Sequence, residues 1–562
     1  MMLSNRYHLP LAVIGGALLW LSWPPLPFTF LIFVALVPFL LLSDLYPSAS
    51  GKAAGRRYFL LLFIGFLLWN VATTWWVGKA SFWGGVFANL ANAALMLLPW
   101  KLYRMNKHAN GRVLGYIALM AAWMSFEYLH LRWEFTWPWL NLGNVFAAQH
   151  KWVQWYDTTG TFGGTLWIWM VNILAYEAIR PIILPHTGSY APGRFAFFQN
   201  RLFRLSLPLF LVVIPILVSL NIYNNYTPEG EPIAVTVLQP NFDPYTQKFS
   251  MPYGKMMDKM VAASEAAIRP ETEYLVWPET AIPEPVWLDR IDRAVPLRKL
   301  EILRDSFPHI TTIVGINGFM RYDAPEDRTV TTRTLINERF NDTLWYDAFN
   351  SAIQMQYDEP TVWYHKSKLV PGAERMPYPQ VLKFLDVFTI SLGGVSGTYG
   401  TQKERTVFTN SKGHSVATAI CYESIFGEYV TRYIKNSAGL IFIITNDGWW
   451  GDTGGYKQHC AYARLRAIEN RRDIARSANT GISCFIDQRG DIRQATGWME
   501  DAVISDTLLY NTNKTFYTLN GDVIGRTSVW LLVLFTLMAF VKARSSDMLP
   551  RKKIGYGISS YL

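Results

Sequence analysis

The sequence predicts a multi-pass α-helical membrane domain combined with a mixed α/β domain. Of its 562 residues, 51% are hydrophobic and only 17% are charged, which is typical of a membrane protein that carries a soluble part. The first 225 residues contain a series of long apolar segments. After that point the pattern changes to short apolar runs separated by turn residues, which indicates strands and helices of a folded domain.

The apolar segments predict about eight membrane spans. The first two are short for the roughly 20 residues that a helix needs to cross a hydrocarbon core. A proline-rich turn, Trp23 to Pro27, separates these two segments. The predicted spans lie near residues 9–23, 28–43, 58–77, 83–103, 113–130, 161–180, 205–223 and 524–542.

The distribution of basic residues predicts the orientation of these spans. The formal net charge is +10, and the Lys and Arg residues lie mainly in alternate loops, as in Lys52 to Arg57 and Lys101 to Arg112. Cytoplasmic loops carry such an excess, so both termini are expected in the cytoplasm. The predicted domains are 1–224 (seven spans), 225–522 (an extracytoplasmic domain) and 523–562 (a last span and a basic tail). A basic rim explains the charge, and no nucleic acid partner is predicted.

Short runs rich in Val, Ile, Thr and aromatic residues predict the strands of the extracytoplasmic domain. Helical stretches at 255–268 and 457–478 lie between several of them, which favours a mixed α/β fold. The predicted strands are 233–239, 274–277, 310–316, 361–365, 416–420, 440–446 and 482–487.

Three of these runs stop at a chemically useful side chain. Glu279, Lys366 and Cys421 each follow a predicted strand, and open α/β sheets place their chemistry at strand ends. A thiol attacks only as thiolate, so it needs a base, for which Glu279 is suited. Lys366 supplies a positive charge for an oxyanion, and the backbone N–H of Tyr422 is a second candidate donor.

Other interpretations of these residues remain open. A lone cysteine after a strand is often only a small buried hydrophobe. Lys368 is an alternative to Lys366, because it lies two residues further on the same strand face. A cysteine–histidine pair would need His365, which should face away, or His414 or His459, which nothing places near the thiol. Cys421, Cys460 and Cys484 lack metal-ligand spacing, so neither a metal nor a cofactor is predicted.

Several motifs together resemble a known family. They are PET with Glu279, HKSKLVPGAE with Lys366 and Glu374, AICYES with Cys421, NDGWWG (446–451), RLRAIENRR (464–472) and ARSANTGIS (475–483). These resemble the nitrilase, or carbon-nitrogen hydrolase, superfamily. With the membrane spans on both sides, the chain resembles the apolipoprotein N-acyltransferases of bacterial inner membranes.

The resemblance implies an α-β-β-α sandwich with a catalytic triad of Glu279, Lys366 and Cys421. It also implies supporting active-site roles for Glu374, Tyr422 and Glu423, and it makes the tryptophans Trp277, Trp449 and Trp450 candidates for substrate binding. The segment LVPGAERMPYP departs from the Phe-Gly pair that more often precedes the family's glutamate, which bears on Glu374.

The implied reaction has two halves. Cys421 takes an acyl chain from a phospholipid donor as a thioester, and the α-amino group of a diacylglyceryl-cysteine on an apolipoprotein accepts that chain. The expected enzyme is a monomer in the lipid bilayer, with its catalytic domain in the periplasm. A membrane-anchored amidase with the same triad is the alternative, and a transporter is less compatible with the scarcity of charges in the spans.

Further segments carry secondary expectations. Asn70, Asn89, Asn92 and Glu127 lie within spans and should point into the bundle. The aromatic segment 133–144 is expected at the interface, as one wall of a lipid entrance. Residues 378–388 and 391–400 are candidate mobile arms. Arg464, Arg466, Glu469 and Arg472 are expected to form a surface ion-pair face on a helix.

Overall fold

A computed structural model describes residues 5–47, 51–184, 201–248, 250–337, 342–378 and 398–548 of the chain. Most of the two candidate arms, residues 379–397, lies outside the described residues. The following paragraphs concern the described part.

Helical structure forms at each predicted membrane segment. Five helices are long and apolar enough to cross a membrane: Gly51–Thr74, Phe82–Asn110, Thr161–Ile183, Leu202–Asn225 and Val523–Lys542. The chain therefore has the helices of a membrane protein, and the count of eight spans remains a prediction. The helices of this part are α1 (His8–Leu21), α2 (Val37–Leu45), α3 (Gly51–Thr74), α4 (Val77–Ala80), α5 (Phe82–Leu95), α6 (Leu97–Asn110), α7 (Arg112–His130), α8 (Tyr156–Thr159), α9 (Thr161–Ile183) and α10 (Arg201–Asn225).

The α/β domain follows α10, and a last long helix comes after it. The helices of the α/β domain are α11 (Tyr253–Ala267), α12 (Arg298–Ser306), α13 (Gly427–Lys435), α14 (Gly454–Asn470) and α15 (Phe516–Asn520). The last long helix is α16 (Val523–Met548). Its strands are β1 (Glu231–Gln239), β2 (Thr272–Val276), β3 (Ile282–Trp287), β4 (Thr311–Tyr322), β5 (Arg333–Asn337), β6 (Asp342–Gln356), β7 (Val362–His365), β8 (Phe408–Thr409), β9 (Ser415–Ile420), β10 (Leu440–Thr445), β11 (Ile474–Ala478), β12 (Cys484–Ile486), β13 (Ile492–Arg493) and β14 (Ala502–Tyr510).

The strands form two sheets. One has the order β14-β1-β2-β4-β6-β5, with β3 also paired to β4 and β7 to β6, and the other has the order β13-β12-β11-β10-β9-β8. Strands β1, β2 and β4 are parallel, and so are β9, β10 and β11. The carboxyl ends of parallel neighbours lie at one edge of a sheet, so the loops after β9 and β10 lie together at the edge of the second sheet. The loop after β2, from the first sheet, meets them there, because Glu279 accepts from the backbone N–H of Asn446.

The two sheets pack face to face between helices. Tyr274 of β2 meets Phe442 of β10 across the inner layer, with ring centroids 5.2 Å apart. On the outer face of the first sheet, Met256 of α11 and Leu300 of α12 share a buried core with Trp277. Helices α13 and α14 contact the second sheet through β9 and β12. The domain therefore has four layers, α-β-β-α.

Two sequence expectations for helix α14 are wrong. The helix ends at Asn470, and residues 474–478 form β11 at the centre of the second sheet. The polar residues of α14 do not form a surface face, because Arg466 and Glu469 are fully buried. They form a buried ion pair of 2.6 Å at i,i+3 spacing. Strand β11 carries the buried Arg476. In the sequence alone, the polar segment around Arg476 resembles the continuation of the helix.

The polar groups in the predicted spans do point into the bundle. The side-chain amide of Asn92 donates to that of Asn70 at 2.7 Å. The Glu127 carboxylate accepts hydrogen bonds from the indole of Trp123, the hydroxyl of Thr165 and the backbone N–H of Leu142. Glu127 therefore joins α7, α9 and the aromatic segment 133–144, which is a structural role.

A buried glutamine joins the membrane helices to the α/β domain. The side chain of Gln458 in α14 accepts from the indoles of Trp139 at 2.6 Å and Trp76 at 3.3 Å, and it donates to the Pro24 carbonyl at 2.8 Å. A buried amide satisfied in this way fixes the relative position of its partners. The edge of the α/β domain that carries α14 is therefore seated on the membrane bundle.

Candidate active site

Cys421 lies at the end of β9, where the chain leaves the sheet for a short 3₁₀ turn, Cys421–Ile425. Its φ is +51°, in the left-handed region that residues other than glycine rarely adopt. Such backbone strain is concentrated at functional sites, where it aims a side chain. Burial raises the pKa of the Cys421 thiol, the Glu279 charge raises it further, and Lys366 opposes both. The thiol is therefore protonated at neutral pH, and it lies within the field of both predicted triad partners.

Lys366 lies between two carboxylates. Its ammonium group donates to Glu279 Oε1 at 3.0 Å and to Glu374 Oε1 at 2.8 Å. The lysine is buried, as are both glutamates. Burial alone would lower the pKa of Lys366, but the charges of Glu279 and Glu374 raise it well above its ordinary value. Lys366 is thus a fixed positive charge beside the thiol.

Asn350 of β6 completes this cluster, and sequence analysis missed it. Its side-chain amide donates to Glu279 at 2.7 Å and to Glu374 at 3.2 Å. Its backbone carbonyl accepts from the backbone N–H of Lys366 at 2.8 Å, so Asn350 is hydrogen-bonded to all three charged residues. The signal was weak because β6 is long and carries polar residues, a pattern unlike the short apolar runs that predicted the other strands.

The carboxylate of Glu279 is held from several directions. Its Oε2 accepts from the backbone N–H of Asn446 at 3.0 Å, at the end of β10. Burial alone would raise the pKa of Glu279, but Lys366 and the Asn350 amide hold it below its ordinary value. Gly315 of β4 allows the close approach of the Glu279 loop, since a Cβ there would lie 2.7 Å from the Glu279 Cα.

Glu374 also stabilises its own loop. Its second oxygen, Oε2, accepts from the Val370 backbone N–H at 2.9 Å. The next residue, Arg375, pairs with Glu134 of the aromatic segment at 2.9 Å. The loop that carries Glu374 therefore lies against the membrane-proximal segment 133–144.

Glu423 and Tyr422 position the turn that carries the thiol. The fully buried Glu423 accepts from the backbone N–H of Ile420 at 2.9 Å, from that of Ser367 at 2.7 Å and from the hydroxyl of Tyr364 at 2.7 Å. It therefore ties the Cys421 turn to the segment after Lys366. The Tyr422 hydroxyl donates to the Thr136 carbonyl at 2.9 Å, which fixes the turn to the aromatic segment.

The buried imidazole of His459 lies behind the nucleophile Cys421. Sequence analysis did not place this histidine there. His459 Nε2 is 3.2 Å from the Cys421 carbonyl oxygen and 3.0 Å from Ser424 Oγ. Its Nδ1 is 3.0 Å from Asp447, whose other oxygen pairs with Arg476 at 2.6 Å. The ring contacts the backbone of the nucleophile turn, so this network supports Cys421 from behind. No sequence spacing predicts this, because His459 is brought there by α14.

The three candidate tryptophans take different positions. Trp277 has no exposed surface, and its indole donates to Ser264 at 3.0 Å within the core beneath α11. The Trp277 ring is thus enclosed in the core, and its role in substrate binding stays a prediction. Trp450 is half-buried and packs on Trp76 and Trp139, with ring centroids 4.9 Å and 5.6 Å apart.

Trp449 is also half-buried, and it lies edge-on to Tyr245 with ring centroids 5.4 Å apart. The Tyr245 hydroxyl donates to the Trp449 carbonyl at 2.8 Å. Trp449 and Trp450 therefore keep partly open faces at the seam with the membrane helices, and their substrate role stays a prediction.

The alternatives to the triad occupy other places. His365 faces Ser351, at 2.7 Å, and His414 faces Glu273, at 2.5 Å. The ammonium group of Lys368 donates to the Leu131 carbonyl at 3.2 Å, and among the described hydrogen bonds it donates to neither Glu279 nor Glu374. Cys460 and Cys484 are buried and free, and they lie in α14 and β12 as expected, with their sulfur atoms 3.8 Å apart.

Two family profiles match the chain. One is described as the apolipoprotein N-acyltransferase N-terminal domain and matches residues 15–174, and the other is described as carbon-nitrogen hydrolase and matches residues 235–512. The second range contains Glu279, Lys366, Glu374 and Cys421.

Curated relatives cover nearly the full length. The chain is 28% identical over 555 residues to the apolipoprotein N-acyltransferase of Chlorobaculum tepidum, covering 97% of this chain and 98% of the relative. It is 26% identical to that of Geobacter metallireducens, covering 94% and 95%. Among solved structures, Saccharomyces cerevisiae Nit3, described as a member of the nitrilase superfamily, is 14% identical with a TM-score of 0.37, covering 53% of this chain and 97% of Nit3.

Proposed function

The chain belongs to the family of apolipoprotein N-acyltransferases, and on this premise we propose the mechanism by which its residues move an acyl chain from a phospholipid to an apolipoprotein. Cys421 is the nucleophile, Glu279 the general base and acid, and Lys366 the cation that stabilises the oxyanion. The observation that carries the proposal is the buried Lys366 held between Glu279 and Glu374 within the field of a strained strand-end cysteine.

In the first half-reaction, Glu279 accepts the thiol proton as Cys421 Sγ attacks an ester carbonyl carbon of the phospholipid. The oxyanion that forms is stabilised by the Lys366 ammonium and the backbone N–H of Tyr422. The tetrahedral intermediate then collapses to a thioester. The lysophospholipid alkoxide leaves and takes the proton from Glu279.

In the second half-reaction, the α-amino group of the diacylglyceryl-cysteine attacks the thioester carbonyl. Glu279 accepts the amine proton, the same donors stabilise the oxyanion, and the C–S bond breaks. The thiolate recovers its proton, and the acyl chain is left as an amide on the lipoprotein. The raised pKa of Cys421 makes the thiol a poor attacking group but the thiolate a good one, so proton transfer must accompany attack.

The substrate must reach the site without leaving the bilayer. Exposing an acyl chain to water costs about 0.8 kcal/mol per CH₂, so sixteen methylenes would cost on the order of 13 kcal/mol. The aromatic segment 133–144 forms one wall of the proposed lipid entrance, because Thr136 contacts Tyr422 and Glu134 contacts Arg375 beside Glu374. The exposed Phe87 of α5 lies next to this segment, with its ring centroid 6.0 Å from that of Phe135.

The proposed topology follows the positive-inside rule. Residues 1–224 and 523–562 form the membrane part with both termini in the cytoplasm of a bacterial inner membrane, and residues 225–522 lie in the periplasm. A reporter enzyme that is active only outside the cytoplasm should be active when fused after residue 228 and inactive when fused after residue 562. The reverse pattern would contradict this orientation. We expect the monomer to be sufficient for activity.

Product analysis tests the function. The purified protein in phospholipid vesicles, with a synthetic diacylglyceryl-cysteine peptide, should yield a peptide that is heavier by one acyl chain, together with lysophospholipid. Cys421→Ala should yield neither product. Release of free fatty acid with no acylated peptide would contradict the transferase, and ammonia release from a small amide would favour the amidase alternative.

A further inference from the structure

A cavity lies at the seam between the α/β domain and the membrane helices. Its volume is about 200 Å³, and Ser367 and Lys368, which directly follow the triad lysine, form part of its lining. Arg132, just after α7, and Asp522, just before α16, line it from the membrane side. Arg432 of α13 lines it from the α/β side. The cavity is therefore at the level where membrane helices end.

The lining is rich in cations. Four of its side chains are basic, and they face two carboxylates: Arg132, Lys368, Arg405 and Arg432 against Glu428 and Asp522. Like charges brought together at low dielectric repel one another, so a set of this kind is costly unless an anion compensates it.

The two carboxylates already have partners. Glu428 is in direct contact with the guanidinium of Arg132 and accepts from Arg526 at 3.0 Å. Asp522 accepts from the Tyr517 hydroxyl at 2.7 Å and lies 3.7 Å from Arg132. The two carboxylates of the cavity are thus paired with Arg132 and Arg526, which approach from the membrane side.

The other three cations form no ion pair within the described residues, and the buried carboxylate of Glu423 acts on Lys368 and Arg405 only through its field. Lys368 donates to the Leu131 carbonyl and lies 4.7 Å from the centre of the Phe426 ring. Arg405 lies 4.0 Å above the Tyr429 ring, and its Nε is buried without a hydrogen-bond partner. Arg432 is exposed and forms no ion pair in this part of the chain.

The electrostatic state of Lys368 agrees with this arrangement. Burial and, to a smaller extent, the charges of Arg132, Arg405 and Arg432 lower the pKa of Lys368 to about 8, and the charge of Glu423 opposes them. An anion bound among these groups would reverse that effect.

We propose that this cavity binds the phosphate of an anionic phospholipid head group, at a site separate from the thiol. Guanidinium and ammonium groups are the side chains that bind phosphate best, through charge-assisted hydrogen bonds. The volume is below the roughly 300 Å³ of pockets for drug-sized ligands, so it suits a head group and not an acyl chain. The lipid source rests on the proposed membrane placement.

The bound head group would link the α/β domain to the bilayer. Ser367 and Phe426 lie within a few residues of Lys366 and Cys421, so the cavity and the triad share two segments of chain. The site would thereby hold the nucleophile turn at the membrane surface.

Direct binding to the full-length protein in detergent tests the proposal. The Cys421→Ala background prevents acyl transfer, and the probes are short-chain phosphatidylglycerol, short-chain phosphatidylethanolamine and inorganic phosphate. Phosphatidylglycerol should bind most tightly. Arg432→Gln removes an exposed side chain that forms no ion pair within the described residues, and it should weaken phosphatidylglycerol binding about tenfold, as expected for the loss of one charge-assisted hydrogen bond, while Arg432→Lys should retain most of the affinity.

The control is Arg298→Gln, which removes another exposed helix arginine of the α/β domain, outside the cavity. It should leave the affinity unchanged. Equal binding of inorganic phosphate and phosphatidylglycerol would overturn the lipid source, and equal affinity in Arg432→Gln and Arg298→Gln would overturn the site. Thioester formation in the protein with Cys421 intact is measured separately, so failure of the catalytic proposal is distinguishable from failure of this one.

Discussion

Cys421 lies between two buried charged networks that differ in what they reach. On one side, Lys366 is hydrogen-bonded to both Glu279 and Glu374, and the charges of Glu279 and Lys366 are the largest that act on the sulfur. On the other side, Asp447, His459 and Arg476 are hydrogen-bonded to one another and reach the backbone of the nucleophile turn, and Asp447 has a smaller electrostatic effect that also raises the pKa of the thiol. The first network therefore acts mainly on the charge of the reacting atoms, and the second mainly holds them in place.

This difference teaches that burial and charge near a nucleophile do not by themselves identify catalytic groups. His459 is the imidazole nearest to Cys421 along the hydrogen bonds of the described structure, yet its ring nitrogens are engaged with Asp447, Ser424 and a carbonyl oxygen. The general base is therefore expected to be Glu279, in the network of Glu279, Lys366 and Glu374. The predictions below separate the two networks, beginning with the largest effect.

Replacing the triad lysine should have the largest effect on chemistry. Lys366→Met removes the cation that stabilises the oxyanion, and loss of one such donor costs about 10²–10³ in rate. We therefore expect acyl transfer to fall at least about a hundredfold. Single-turnover formation of the thioester measures this step, and Lys412→Met, at an exposed lysine paired with Glu273, is the matched control. A Lys366→Met enzyme as fast as that control would remove the lysine from the mechanism.

Breaking the imidazole network should mainly affect stability. Asp447→Asn leaves the buried Arg476 without its carboxylate, and removing one partner of a buried pair typically costs about 3–5 kcal/mol. We expect a lower melting temperature in detergent, with a smaller loss of turnover per folded molecule than in Lys366→Met. If turnover of the folded fraction fell as far as in Lys366→Met, with stability unchanged, the two networks would not differ as described.

The same pair predicts a pH dependence. Burial opposes ionisation of Asp447, but Arg476 and His459 lower its pKa from 3.8 to about 2. A carboxyl group with a depressed folded-state pKa adds stability above its unfolded pKa and loses it as pH falls through the folded value. The stability gap between the wild type and Asp447→Asn should therefore be the same at pH 7 and pH 5. A gap that closes by pH 5 would contradict the assignment.

Weakening the outer carboxylate should have the smallest effect of the series. Glu374→Gln keeps the shape but removes one of the two negative charges that hold Lys366. Since Glu279 remains, we expect turnover to fall about tenfold, consistent with the loss of one charge-assisted hydrogen bond of about 1.5–3 kcal/mol. The kcat of peptide acylation measures it. A loss equal to that of Lys366→Met would make Glu374 part of the reacting set.

The sequence predicted the elements that end at the chemistry. The apolar runs before Glu279 and Cys421 form β2 and β9, because buried strands of parallel sheets are recognisable as short apolar stretches. The run before Lys366 forms β7, which is antiparallel to β6 and carries the β-branched and aromatic residues that are typical of strands. The roles of Glu279, Lys366 and Cys421 remain predictions until they are tested in solution.

The sequence could not predict what depends on tertiary partners. Asn350 lies on β6, whose polar residues obscure the strand pattern. The buried Arg476 of β11 is paired with Asp447. Because Asp447 is distant in the sequence, the segment RDIARSA resembles a helix when it is considered in isolation. Trp277 precedes a catalytic loop yet faces the core beneath α11, since alternate residues of an extended chain point to opposite faces.

Mass measurement of the intact protein after incubation with phospholipid vesicles tests the central claim most directly. The account predicts one added acyl chain, located on Cys421 by peptide mapping and lost on treatment with hydroxylamine. The adduct should persist in a Cys460→Ala, Cys484→Ala double variant and be absent from Cys421→Ala. An acyl adduct that survives in Cys421→Ala, or none in a wild-type protein that acylates peptides, would contradict the account.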